Sequence, residues 1–137
     1  MNWTLEVVVV PVSDVARAVA FYAEGLGFVV DHDTQLGGGR RLVQLTPRGS
    51  GCSVVLGDGL SSMAPGSLHG LQLVVNDVRA AHAELTARGV AVGEVQVLGP
   101  GGPRPAGPGD DLNNVGFLFL SDPDGNRWAV QQITTRP

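Results

Sequence analysis

Hydrophobic residues in the first part of the chain form strand-like runs around one segment with helical spacing. Residues 5–12 are rich in β-branched side chains and predict a buried strand. A helix should follow, begun by Ser13 or Asp14 and ended by Gly27, with one apolar face made of Val15, Ala18, Val19, Tyr22 and Leu26. Short strands are predicted near 28–31, 41–46 and 53–56, between turns rich in glycine and proline. The predicted order is β-α-β-β-β.

The same pattern starts again in the second half of the chain. Residues 71–75 predict a strand, 77–88 a helix stopped by Gly89, and 91–97, 115–120 and 127–133 three further strands. Val-Ser-Asp-Val at 12–15 returns as Val-Asn-Asp-Val at 75–78, ahead of the second helix. The chain therefore contains an internal repeat of one β-α-β-β-β module.

These boundaries define the domain organisation. A chain of 137 residues is predicted to form one domain, with module one at 4–57, a linker at 58–68 and module two at 69–134. Residues 98–114 carry so many glycines and prolines that no regular structure is expected there. This loop is either a mobile lid over a site or an insert without a role.

Composition excludes several classes of function. The formal charge is −4, and all nine basic residues are arginines, which argues against nucleic-acid binding. No apolar run approaches the roughly 20 residues of a membrane helix. Cys52 is the only cysteine, so an internal disulfide and a cysteine-based zinc site are excluded. Because the first residues also lack a basic, signal-like segment, a cytoplasmic location is expected.

Two segments carry a family resemblance. They are Pro11-Val-Ser-Asp-Val15, with Phe21-Tyr22 and Leu26-Gly27-Phe28 behind it, and Asp122-Pro-Asp-Gly-Asn126 between the last two strands. They resemble the vicinal oxygen chelate superfamily, which includes glyoxalase I, extradiol dioxygenases and bleomycin-binding resistance proteins. The resemblance implies an α+β fold in which two βαβββ modules form a cup-shaped, eight-stranded mixed sheet. It also implies a homodimer.

Most enzymes of that superfamily hold a divalent metal with His and Glu from four strands. The matching positions in this chain are Val7, Val55, Gly70 and Ala129. None of these side chains can ligate a metal. No metal cofactor is therefore expected.

Glu6 and His69 each precede one of these positions by one residue. Strand side chains alternate between faces, so both should point away from the cup. A bulge or register slip in both strands would return them and would give a metal-dependent lyase or dioxygenase. Glu6 is also the one candidate for acid–base catalysis without a metal.

Alternation along the strands predicts the lining of the cup. It would be largely apolar, with a few polar groups, as in a small-molecule pocket. The predicted ligand-binding residues are Val7, Val9, Arg41, Ser53, Val55, Gln72, Val74, Phe117, Phe119 and Gln131. The alternative is a cup filled by its own side chains.

The favoured function is metal-independent binding of a small organic molecule, as in the bleomycin-binding resistance proteins. Protection would then come from sequestration and not from catalysis. The alternative is the metal-dependent enzyme with Glu6 and His69 as displaced ligands. The expected partners are a small-molecule ligand and a second copy of the chain, without nucleic acid or membrane.

Overall fold

The predicted repeat is present as two structural units, each with its own sheet. The computed structural model describes residues 1–135. The first unit comprises Met1–Leu68 together with Asp122–Asn126, and the second comprises His69–Ser121 and the residues from Arg127 onwards. The prediction of an α+β protein built from two βαβββ modules is confirmed.

The first unit contains four strands and one helical segment. In chain order its elements are β1 (Val7–Val9), α1 (Val15–Ala20), β2 (Val29–Gly37), β3 (Arg40–Thr46) and β4 (Ser53–Gly57). Its sheet has the order β1-β4-β3-β2, in which β1 runs parallel to β4 and the other pairs are antiparallel. The helix covers one face, where the buried side chains include Val43, Leu45, Val54 and Leu56.

The second unit repeats this arrangement with one more strand. Its elements are β5 (His69–Val75), α2 (Val78–Ala87), β6 (Gln96–Gly99), β7 (Gly102–Pro105), β8 (Gly116–Ser121) and β9 (Arg127–Gln132). The sheet order is β5-β9-β8-β6-β7, and β5 runs parallel to β9. Helix α2 covers the face with Val97, Leu118, Leu120, Trp128 and Val130, all of them buried. No helix in the described part of the chain is long and apolar enough to cross a membrane.

The two helices begin in the same way, as the repeated sequence predicts. Asp14 accepts a hydrogen bond of 3.0 Å from the backbone N–H of Arg17, and Asp77 accepts one of 3.0 Å from Ala80. Each aspartate adopts an extended backbone and satisfies an N–H group that has no partner within the helix. The repeated Asp therefore sets the helix start in both modules.

The first helix ends differently from the prediction. Beyond Ala20 the chain widens into a π-helical turn over Phe21–Gly25, in which the N–H of Leu26 bonds to Phe21 O at 3.1 Å. Single π-helical turns of this kind are uncommon. Within it lies Tyr22, which is completely buried.

The Asp122–Asn126 turn belongs to the first unit, although the strands that it joins belong to the second. Asn126 donates to Pro11 O at 2.9 Å and accepts from the N–H of Leu68 at 3.1 Å. Gly66 approaches the turn so closely that a Cβ would lie 1.9 Å from Asp124 O. The turn is therefore a structural part of the first unit.

The expectation that residues 98–114 lack regular structure was wrong in part. Leu98 and Gly99 belong to β6, and β7 (Gly102–Pro105) pairs with it. Gly102 has φ +92°, a conformation that favours glycine, so the same residue that suggested disorder permits a hairpin. The sheet of the second unit therefore has five strands where four were expected.

Residues beyond this hairpin are fixed by a second set of contacts. Asp110 accepts hydrogen bonds of 2.9 Å from both terminal nitrogens of Arg104 and one of 2.6 Å from the N–H of Gly107. Arg79 on α2 donates to Gly107 O at 2.6 Å. These hydrogen bonds lower the pKa of Asp110 to about 2, and the bond from Arg104 has a larger effect than the bond from Gly107.

Candidate functional site

Residues predicted as ligand contacts in the second module lie together on one face of its sheet. Phe117 is paired with Gln131, Phe119 with Ala129, and Ala129 in turn with Gln72. Directly paired residues in a sheet share a face. Val74, paired with Gln131, lies on it as well. We call this the open face, because helix α2 covers the opposite one.

The aromatic part of the open face is formed by Phe117 and Phe119. Their rings are nearly parallel, with an interplanar angle of 7° and centroids 6.2 Å apart. Both side chains are half-buried, so part of each ring is accessible. Together they present an apolar surface of the kind that binds a flat organic molecule.

The polar part of the open face is formed by two glutamines. Gln131 donates from Nε2 to Asn114 O at 2.8 Å, which fixes the orientation of its amide. Its Oε1 then accepts a hydrogen bond from Nε2 of Gln72. The side-chain oxygen of Gln72, Oε1, makes no hydrogen bond to the described residues. It is left as an acceptor on the same face as the two phenylalanines.

His69 also lies on the open face, contrary to the sequence expectation. The pairing of β5 with β9 skips one residue, because His69 is paired with Arg127 and Leu71 with Trp128. Gly70 is the extra residue, and its φ of +99° is one that L side chains rarely adopt. Such a bulge changes the side-chain alternation, so His69 points to the face that was predicted for Gly70.

A cavity of about 210 Å³ lies at the end of the open face where β5 and β9 begin. Its lining consists of His69, Gly70, Phe119, Arg127, Trp128 and Ala129. It thus combines an aromatic wall with two basic side chains. Arg127 was not among the predicted ligand contacts, and His69 was considered only as a displaced metal ligand, although a glycine within a strand is itself a signal for a bulge.

In the first unit, four of the five predicted contacts share a face. Val7 is paired with Ser53, and Val9 with Val55. Ser53 Oγ lies 2.6 Å from Oγ1 of Thr46, which donates a hydrogen bond to Asp31. This face is therefore apolar with one cluster of hydroxyl groups.

Arg41 was expected on that face, and this was wrong. Val43 is paired with Leu56, so both it and Arg41 lie on the face that α1 covers. Arg41 donates to both Asp33 oxygens, from Nε at 2.9 Å and from Nη2 at 2.6 Å, which lowers the pKa of Asp33. Gln44, paired with Val55, takes the place that was predicted for the arginine.

The residues present do not fit a metal centre at the four superfamily positions. Val7, Val55, Gly70 and Ala129 offer no side-chain donor atom. Among residues 1–135 no group of three or more His, Cys, Asp or Glu side chains is arranged to hold a metal ion. Glu6 precedes β1, and no register shift is present in the pairing of β1 with β4 that would turn it to the other face.

Comparison with known proteins identifies the family. A family model described as the Glyoxalase/Bleomycin resistance protein/Dioxygenase superfamily matches residues 4–130. The chain belongs to this superfamily. A search of curated proteins gives no match.

Solved structures of this superfamily resemble the chain over almost its full length. TnmS3, an antibiotic binding protein from Streptomyces sp. CB03234, is 36% identical, with a TM-score of 0.73 over 96% of this chain and 97% of that one. A glyoxalase/bleomycin resistance protein from the same strain is 37% identical, with a TM-score of 0.70 over 94% and 100%. A superfamily member from Sphaerobacter thermophilus DSM 20745 is 28% identical, with a TM-score of 0.73 over 96% and 98%.

Proposed function

We propose that this protein binds a small organic molecule without a metal and protects against it by sequestration. The observation that carries the proposal is the open face of the second sheet. There the parallel rings of Phe117 and Phe119 lie beside the hydrogen-bonded pair Gln72 and Gln131. Apolar walls give affinity, and a few fixed polar groups orient the ligand.

The sheet of the first unit has a candidate ligand-contact face of its own. Val7, Val9 and Val55 provide apolar area, and Ser53 provides a hydroxyl group in a network with Thr46. Val7 and Val9 are 37% and 36% exposed, so their side chains are accessible.

Two further observations support binding without a metal. The side chains at the four superfamily metal positions have no donor atoms for a metal. One of the similar structures is an antibiotic binding protein, 36% identical to this chain. Both favour a binding protein over a metal enzyme.

Sequestration can be separated from catalysis by following the ligand itself. A panel of antibiotics is titrated against the protein by calorimetry, with and without a chelator, and each bound compound is recovered after denaturation for mass spectrometry. We expect stoichiometric binding that the chelator does not change, and recovery of unaltered compound. Chemically altered compound in more than stoichiometric amount would overturn the proposal.

Two variants test whether the open face is the binding surface. Phe119→Ala should weaken binding by tenfold or more, since an aromatic side chain that packs on a ligand contributes about 1–3 kcal/mol. Phe21→Ala is the matched control, because Phe21 is also half-buried but lies in the π-helical turn of the first unit. An equal loss in both variants would contradict the assignment of the site.

A metal-dependent lyase or dioxygenase is the second candidate, because the bulge at Gly70 places His69 on the open face. That activity would require Glu6 as well. Titration with zinc, manganese and iron(II) tests it, with His69→Ala and Glu6→Ala as the variants. A stoichiometric ion whose binding is lost in both variants would replace the sequestration proposal.

The protein is also proposed to form a homodimer. Large apolar side chains near the start of the chain are accessible in the single chain, with Trp3 87% and Leu5 70% exposed. Exposed apolar surface of this kind is typical of an interface. Light scattering should give twice the mass of 14.2 kDa, and Trp3→Ser with Leu5→Ser should shift the protein towards the monomer.

A further inference from the structure

Arg127 differs from the other arginines of the second unit. Of the four that the structure describes there, three make a hydrogen bond or an ion pair through the guanidinium group, namely Arg79, Arg88 and Arg104. Arg127 makes no side-chain hydrogen bond or ion pair within residues 1–135. It stands on the open face at the start of β9, in the lining of the cavity.

His69 is the residue paired directly with Arg127 across the two strands. It too makes no side-chain hydrogen bond to the described residues. The two side chains share the cavity with Phe119 and Ala129, and no acidic residue is part of its lining. A histidine, an unpaired guanidinium group and a phenyl ring therefore meet in one place.

This combination depends on the bulge in β5. If β5 paired with β9 without the bulge, Gly70 would be the partner of Arg127, and His69 would lie on the face that α2 covers. The positive φ of Gly70 permits the bulge. The basic pair is thus a consequence of one residue.

We propose that the ligand bound by this chain is an aromatic molecule that carries an anionic group, a carboxylate or a phenolate. This inference rests on the proposed binding function and specifies its ligand class. Arg127 binds the anion with its planar, forked guanidinium group, and His69 donates a further hydrogen bond. Phe119 packs against the ring to which the anionic group is attached.

The size of the cavity limits which part of the ligand enters it. Its volume of about 210 Å³ is smaller than the roughly 300 Å³ at which pockets for drug-sized ligands begin. The cavity therefore takes the anionic aromatic end of a larger molecule. The remainder extends along the open face over Phe117 and the two glutamines.

A matched pair of probes tests the inference. Naphthoate and naphthalenemethanol share one ring system and differ in a carboxylate against a neutral hydroxymethyl group. Each is titrated by calorimetry and by nuclear magnetic resonance, in which the side-chain Nε–H of Arg127 reports on its own contacts. We expect naphthoate to bind about tenfold more tightly and to shift the Arg127 signal.

Substitutions then test whether Arg127 and His69 cause the tighter binding of naphthoate. Arg127→Gln should weaken naphthoate binding about tenfold and leave naphthalenemethanol binding unchanged, and His69→Gln should have a smaller effect of the same kind. Arg48→Gln is the control, since Arg48 is exposed in a turn of the first unit and loses the same charge. Thermal unfolding of each variant confirms that it is folded.

The outcomes distinguish this inference from the function on which it rests. Equal affinity of the two probes, with no effect of Arg127→Gln, would overturn the anionic ligand and leave small-molecule binding intact. Equal weakening by Arg127→Gln and Arg48→Gln would overturn it as well, because the effect would then be one of overall charge. Failure of both probes and of the antibiotic panel to bind would overturn both proposals.

Discussion

The phenol group of Tyr22 donates a hydrogen bond of 2.7 Å to Oδ2 of Asp122, a residue 100 positions later in the chain. Both side chains are buried. The other carboxylate oxygen of Asp122 accepts from the backbone N–H groups of Asp124, Gly125 and Asn126, at 2.9–3.0 Å. One carboxylate therefore organises its own turn and holds it to the π-helical turn.

Tyr22→Phe should destabilise the protein without changing its fold. The substitution keeps the ring and removes one of two donors to Asp122 Oδ2, while Asn126 Nδ2 stays at 2.8 Å. A hydrogen bond to a charged group contributes about 1.5–3 kcal/mol of unfolding free energy. Urea denaturation measures the loss. Ser50→Ala removes two exposed hydrogen bonds, to Cys52 O at 3.0 Å and from the Cys52 N–H at 3.1 Å, and should change stability by less than about 0.5 kcal/mol. Similar midpoints for both variants would contradict the structural role of the buried bond.

Gly70→Ala should destabilise the bulge that brings His69 to the open face. A Cβ at this position meets no atom within 4 Å, so the cost comes from the φ of +99° and not from a clash. For a residue other than glycine this conformation costs about 1–2 kcal/mol. The midpoint of thermal unfolding should fall, and naphthoate affinity should fall with it.

Gly99→Ala is the matched control for that substitution. Gly99 also lies in a strand and has open space around a Cβ, but its φ is not in the positive range. Its unfolding midpoint and naphthoate affinity should therefore stay near those of the parent protein. A loss as large as that of Gly70→Ala would show that the backbone conformation is not the cause.

The contacts of Asp110 should make its segment sensitive to acid. Its folded pKa is about 2 and its ordinary value is 3.8, so the bonds to Arg104 and Gly107 stabilise the folded segment above pH 3.8 and weaken as the pH falls towards 2. The Gly107 N–H chemical shift should report a midpoint well below 3.8. Asp110→Asn should abolish this titration. Asp111→Asn should preserve it, since Asp111 contacts Asn113 instead.

Arg41→Gln should leave ligand binding unchanged. Arg41 lies on the face that α1 covers, and Asp33 holds its guanidinium group. The change removes the same charge as Arg127→Gln, so the two variants form a direct comparison. A loss of affinity in Arg41→Gln equal to that in Arg127→Gln would show that the face assignment does not determine binding.

The modular fold was predictable because its signals are local. The Asp residues at 14 and 77 cap their helices as their positions suggest, and glycines mark the ends of elements. Trp128, which alternates with the cup-facing position Ala129, lies in the core and is 4% exposed. Simple alternation placed Gln72, Phe117, Phe119 and Gln131 correctly on one face, because β8 and β9 pair without a register shift and the bulge in β5 precedes Gln72.

The wrong predictions concern strands in which the alternation of side chains is broken or in which the inward-facing residues are ambiguous from the sequence. A bulge at Gly70 depends on the partner strand, so sequence shows that it is possible but not that it occurs. In β3 the apolar residues Leu42, Val43 and Leu45 do not alternate strictly, and the wrong choice of face placed Arg41 with the ligand contacts. The β6–β7 hairpin was missed because glycine and proline were treated as disorder signals.

The Asp122–Asn126 turn has a consequence for how the protein is made. The first unit includes these five residues, which leave the ribosome only after almost the whole second unit has been synthesised. Domains commonly fold in the order in which they are translated. Here Tyr22 and Pro11 lack these buried partners until residue 126 has emerged, so the first unit cannot be completed before most of the second has been made.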